Sequence, residues 1–177
     1  EDTVVPAEYS GIVSATDKVP VMPKISGRVL EKYVQGGQTV AEGQPLFRLD
    51  SRSYQAALNA AKANEAQAAA NLANQQLNLR RYRTLADEDA IAVQTVTDQE
   101  AATAQQNAVL QAQEAQVAAA QDNMDDTIVY APFSGTLNVD DVPVGTFATA
   151  GGTQLVTISS NNPVFVEFSV SEAEYLD

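Results

Sequence analysis

The sequence predicts an α+β chain in which one β-domain is split in two and a long antiparallel helical hairpin is inserted between the halves. Three observations point there. No Gly and no Pro occurs from Ser51 to Asp126, whereas all nine Gly and all seven Pro fall outside that stretch. Within it, apolar residues recur at heptad spacing. The two flanks repeat one another.

The N-terminal flank is rich in Val, Ile, Thr, Gly and Pro, the composition of short strands with tight turns. Pro23-Lys24-Ile25-Ser26-Gly27-Arg28-Val29 is followed by Gly37-Gln38-Thr39-Val40 and by Gly43-Gln44-Pro45-Leu46-Phe47. The C-terminal flank reads Ala131-Pro132-Phe133-Ser134-Gly135-Thr136-Leu137, then Gly145-Thr146-Phe147-Ala148, then Gly151-Gly152-Thr153-Gln154-Leu155. Glycines 27 and 37 are spaced like 135 and 145, and 37 and 43 like 145 and 151. Each of these glycines is expected to permit a turn with positive φ. Neither half can bury its apolar face alone. Two four-stranded halves related by an approximate twofold are therefore expected to close one flattened barrel from residues 18–50 and 127–160.

The insertion, 51–126, divides in two. Tyr54, Leu58, Ala61, Ala68, Leu72, Leu79 and Tyr82 form one seam, interrupted by Glu65 and Gln75. Val96, Thr103, Leu110, Val117 and Met124 recur every seven residues in the other. Asp87-Glu88-Asp89 breaks the pattern and β-branched residues follow from Val93 to Thr97; together these mark the expected turn. Thr95 or Thr97 is the expected cap of the second helix, and Glu100 follows Thr97 at capping-box spacing. A short connection makes the helices antiparallel. The first, about 34 residues, would be roughly 50 Å long at about 1.5 Å per residue, too long to pack only on a small β-domain.

The ends, 1–17 and 161–177, add strand patterns at Tyr9 to Ala15 and at Val164 to Val170, then a capped helix start at Ser171-Glu172-Ala173-Glu174. They are too short for a core of their own and read as part of a further, cut-off β-domain. The opening Glu1-Asp2-Thr3 reads as a mature or trimmed N-terminus.

Composition removes several function classes. Aromatic residues are only 6% of the chain and much of its 45% apolar fraction is Ala, which buries little surface. A net charge of −13 lacks the basic footprint of a nucleic-acid binder and disfavours an anionic membrane surface as partner. With no Cys and no His, thiol nucleophiles, Ser-His dyads and Cys/His zinc sites are absent. Gly36-Gly37 and Gly151-Gly152 precede strand patterns rather than helices, so neither is a phosphate loop. The carboxylates Asp125-Asp126, Asp140-Asp141 and Asp87 to Asp89 lack EF-hand spacing and read as solvated turns and caps. No catalytic residue, metal or cofactor is expected.

The order of these segments resembles the periplasmic adaptor, or membrane fusion protein, family of tripartite efflux pumps, most closely the resistance-nodulation-division (RND) type. The resemblance covers nearly the whole chain. It is carried by Pro23–Gly27 with Gly37 and Gly43, by Leu49-Asp50 leading into Tyr54-Gln55-Ala56-Ala57-Leu58, by Ile128 to Gly135, and by Asn162-Pro163-Val164-Phe165-Val166. It implies an interrupted lipoyl-like (biotinyl/lipoyl) β-sandwich, the inserted coiled-coil hairpin, and entry into a β-barrel. It also implies a periplasmic, inner-membrane-associated adaptor working as a homo-oligomeric ring, trimer or hexamer. Such an adaptor joins an inner-membrane transporter to a TolC-type outer-membrane channel.

The family's tip motif is Arg, three residues, Leu, six residues, then Ser or Thr. Arg81 and Leu85 match its first two positions; the third falls on Ala92, a departure, with Thr95 and Thr97 nearby. The resemblance implies that Arg81, Leu85 and Ala92 touch the channel, Arg81 offering a planar fork of donors and Leu85 an apolar knob. Otherwise Arg81 is a solvated helix charge and Leu85 a seam residue. Two other readings of the chain stand beside this one. An adaptor of an ABC exporter or type I secretion system would share the fold. A carrier domain would need a displayed Lys, and Lys18, Lys24, Lys32 and Lys62 are not at an equivalent tip.

Overall fold

A computed structural model describes residues 11–15, 18–138, 142–160 and 164–168, with side chains for 18–138 and 142–160. It has the expected α+β architecture, in two compact units: residues 1–49 with 128–177, and residues 50–127.

In the first unit, β2 (Lys18–Val21), β3 (Gly27–Lys32), β4 (Thr39–Val40) and β5 (Pro45–Leu49) come from the N-terminal flank. The C-terminal flank supplies β6 (Ile128–Tyr130), β7 (Gly135–Leu137), β8 (Phe147–Ala148) and β9 (Val156–Ser159). They form two antiparallel sheets, β2-β9-β7-β4 and β6-β5-β3-β8. Exchanging the flanks turns one strand order into the other, which is the twofold expected from the repeat. Each sheet takes two strands from each flank, so neither flank can complete its backbone pairing alone.

The hydrogen bonds outside the strands obey the same symmetry. Gly37 N–H donates to Leu137 O at 3.0 Å, and Gly145 N–H to Val29 O at 2.8 Å. Gly43 N–H donates to Ala131 O and Gly151 N–H to Pro23 O, both at 2.9 Å. Ser134 Oγ accepts from Glu42 N–H and Ser26 Oγ from Ala150 N–H, both at 2.9 Å. The core is apolar and drawn from both flanks: Val29, Leu46, Phe47, Leu49, Leu155, Val156 and Ile158 are all essentially inaccessible.

Gly37, Gly43, Gly145 and Gly151 have positive φ, as expected at turns. Gly27 and Gly135 do not; both are buried strand residues. Gly135 is needed for close approach instead. A Cβ there would lie 2.4 Å from Ser159 O and 2.8 Å from Ile158 Cγ2 on the neighbouring β9.

Strands β1 (Gly11–Ala15) and β10 (Val164–Phe168) pair antiparallel, Gly11 opposite Phe168. The helix start at 171–174, the ends of both terminal strand patterns, and Asp140-Asp141 lie outside the described residues.

The second unit is the hairpin of α1 (Arg52–Asp87, 36 residues) and α2 (Val93–Asp125, 33 residues). Asp50 Oδ1 accepts from Arg52 N–H at 3.1 Å and the same carboxylate pairs with the Arg52 guanidinium at 2.6 Å, which holds the guanidinium pKa above its usual value. The turn is Glu88–Ala92, inside the expected stretch, and does not extend to Val93 to Thr97. Those β-branched residues begin α2, where Thr97 Oγ donates to the Val93 carbonyl, the contact that lets Thr sit inside a helix. Neither Thr95 nor Thr97 caps the helix; Ala92 occupies the N-cap and has no side chain to offer.

Candidate functional site

The residues singled out by the tip motif lie at or beside the turn. Arg81 and Leu85 are on the last turns of α1 and Ala92 is the N-cap of α2; all three are exposed, Leu85 at 38%. The seam of α1 runs through Tyr54, Leu58, Ala61, Glu65, Ala68, Leu72, Gln75, Leu79, Tyr82 and Ala86, each buried or half-buried. Leu85 is therefore off the seam, and more than a third of its surface stays in water.

The turn between them is tightly specified. Ala90 N–H donates to Leu85 O at 2.8 Å and Asp89 N–H to Ala86 O at 3.0 Å, the two bonds of a Schellman motif. Asp89 holds the left-handed position at φ 54°, where Gly is the usual occupant. These bonds use the last carbonyls of α1, including that of Leu85, and so fix the backbone that presents its side chain. On the far side, Thr95 N–H bonds Ala92 O at 3.0 Å.

Charge alternates around this end. Arg80, Arg81 and Arg83 are followed by Asp87, Glu88 and Asp89. Arg83 pairs across the hairpin with Glu100 at 2.7 Å. A polar link at seam depth is made by Gln99, whose Nε2 donates to Gln75 Oε1 at 2.6 Å and to Gln75 O at 3.2 Å. In the sequence Gln75 is an interruption of the seam, Glu100 a capping-box partner of Thr97 and Arg83 one of three clustered arginines; the structure pairs Glu100 with Arg83 instead, and the signal for Gln99 is that Gln99, Gln106 and Gln113 recur every seven residues.

Towards the base the helix pair encloses a shallow amide-lined groove of about 280 Å³ between Asn64, Gln67 and Asn71 on one side and Gln106, Val109 and Gln113 on the other. Among the described residues no three His, Cys, Asp or Glu side chains group to hold a metal, and no helix is long and apolar enough to cross a membrane. Asp126 is the C-cap of α2 and Asp125 accepts from Gln121 Nε2 at 2.8 Å, so this carboxylate pair ends a helix.

Several known proteins are similar to this chain. The chain is 35% identical over 165 residues to "Multidrug resistance protein MdtA" of Pectobacterium carotovorum and 36% identical over 169 residues to "Efflux pump periplasmic linker BepF" of Brucella suis. The matches cover 93% and 96% of this chain but only 40% and 41% of those proteins, so the chain spans about two fifths of their length. The membrane fusion protein Spr0693 of Streptococcus pneumoniae superposes with a TM-score of 0.67 at 26% identity, covering 93% of this chain and 71% of that one. MacA of Actinobacillus actinomycetemcomitans shares the fold with a TM-score of 0.67 at 23% identity, covering 93% and 56%. The family model described as "RND MFP, barrel-sandwich hybrid domain" matches residues 17–159. With that match and these relatives, the chain belongs to the RND membrane fusion protein family and carries its barrel-sandwich hybrid domain.

Proposed function

We propose that this chain is the hairpin-bearing part of a periplasmic efflux adaptor that links an inner-membrane transporter to a TolC-type outer-membrane channel. It performs no chemistry of its own and holds two membrane proteins in register, working as a ring of identical subunits at the inner membrane. Residues 18–50 and 127–160 are its lipoyl-like domain, 51–126 the hairpin, and 1–17 with 161–177 part of a β-barrel domain. The RND description of the matching family favours an RND-type transporter over an ABC exporter. A carrier role finds no support, since the two β-halves are joined by a helical hairpin and not by a turn displaying Lys.

One observation carries the tip assignment. Leu85 is an exposed Leu held off the hairpin seam by a hydrogen-bonded turn, beside exposed Arg81. A partner surface that covers Leu85 and accepts from the Arg81 fork recovers what the free chain leaves in water. Arg81→Glu with Leu85→Ala in the full-length adaptor should lower drug resistance, through a loss of about 2 kcal/mol or more of binding, while the melting temperature stays near wild type. Full efflux at wild-type expression in that double variant would refute the assignment.

A further inference from the structure

We propose that Gln75, Gln99, Arg83 and Glu100 form a clamp that sets the register of α1 against α2, and so positions the turn. The clamp is a register device and not a source of stability. It grips one turn of α2 from two points on α1. Gln99 reaches back to the Gln75 side chain and carbonyl, and its neighbour Glu100 accepts from Arg83, eight residues further along α1.

The apolar seam by itself leaves register open. A heptad pattern is satisfied again after a slip of seven residues. A slip would give up the two hydrogen bonds closed by Ala90 and Asp89, yet Ala86, Asp89, Val93 and Val96 continue the three-and-four spacing of the α1 seam, so a turn displaced along the chain would still offer seam positions. Ala61, Ala68 and Ala86 in the α1 seam have small side chains that discriminate poorly between registers. The four clamp residues do discriminate. A slip of one heptad would put Gln99 beside Ala68 or Tyr82 in place of the Gln75 amide, and Glu100 beside Gln76 or Ala90 in place of Arg83. A part-buried amide would then lose its partner. A polar pair in an apolar seam is the best-attested use of such groups, fixing register at some cost in stability. The Arg83–Glu100 side chains are 56% and 46% exposed, so that pair adds direction more than energy.

The consequence for presenting Leu85 and Arg81 rests on the tip reading above; the clamp itself does not. Because the chain has no Cys, cysteines at Asn71 and Val109, which line one groove from opposite helices, are unique sites for spin labels. In the 177-residue chain the labels should give one distance population. Replacing all four residues, as Gln75→Leu, Gln99→Leu, Arg83→Gln and Glu100→Gln, should add a second, longer population from an axial slip of ~10 Å, one heptad at about 1.5 Å per residue. Helical signal should be kept, and restoring Gln75 and Gln99 should remove the second population. A single unshifted population in the fourfold variant would overturn the proposal. So would loss of helical signal, because the four residues would then be holding the hairpin together instead of choosing its register. Arg81→Glu with Leu85→Ala keeps the single population whatever it does to partner binding, so failure of the tip reading is seen separately.

Discussion

Ala92 stands where a helix most often begins with Ser, Thr, Asp or Asn, and its φ of −71° and ψ of 141° already have the N-cap form. The third position of the tip motif is therefore also the N-cap of α2, and a hydroxyl there would accept a backbone N–H of the first turn. Ala92→Ser is expected to stabilise the start of α2 by about 0.5–2 kcal/mol, read as slower amide exchange in residues 93–97. Unchanged or faster exchange would mean that the hydroxyl turns outward. Gly135 presents the opposite case, a residue that admits no side chain at all. Gly135→Ala should cost about 1–3 kcal/mol through overpacking, because its Cβ would press on Ser159 O and Ile158 Cγ2. Denaturant unfolding measures this directly, and a wild-type midpoint would show that β7 and β9 can part without penalty.

At the scale of the element, the hairpin is held together weakly for its length. Among the described residues α1 buries only Leu58, Ala68 and Leu72, and α2 buries none. At 36 residues and about 1.5 Å per residue α1 is roughly 54 Å long, so little of its surface leaves water. Specification comes instead from its end and its few polar links: the Schellman turn, the Gln75–Gln99 amides and the Arg83–Glu100 pair. Asp89 is the exposed hinge of that turn. Asp tolerates left-handed φ because its short side chain bonds locally, whereas a β-branched residue does not. Asp89→Val should cost about 1–2 kcal/mol, seen as faster exchange in the last turn of α1; unaltered protection there would show that the turn bears no strain.

For the whole molecule, the division of the core decides what depends on what. All but three of the described buried apolar side chains belong to the β-unit, and both sheets mix strands from the two flanks. Removing residues 55–122 and closing the gap with a short turn should therefore leave a cooperatively folding β-domain. Its urea transition should remain a single sigmoid, with a slope reduced in line with the lost surface. A non-cooperative transition would mean that the hairpin is part of that core.

Much of this chain was legible in its sequence because the signals are local and repeated. The Gly- and Pro-free stretch from Ser51 to Asp126 marks out the long helices, and the heptads at Tyr54 and Val96 name the faces that meet. The repeat of glycine spacings marks four turns that do have positive φ. Tertiary structure decided the rest. The expected turn spread from Asp87 to Thr97, but the hydrogen bonds closed by Ala90 and Asp89 complete it by Ala92 and leave Val93 to Thr97 to helix. Gly135 read as a turn glycine, but its need is a neighbouring strand 2.4 Å from where a Cβ would be, which only sheet pairing creates. Gln75 read as an interruption, since an amide's value depends on whether another amide 24 residues away lies within reach. Sequence by itself determined four glycine turns, the extent of the helices and which faces are apolar, because those follow from each residue's own backbone and side chain. Pairing across the twofold and across the hairpin was left to the fold, because it depends on residues that meet only once the chain has closed.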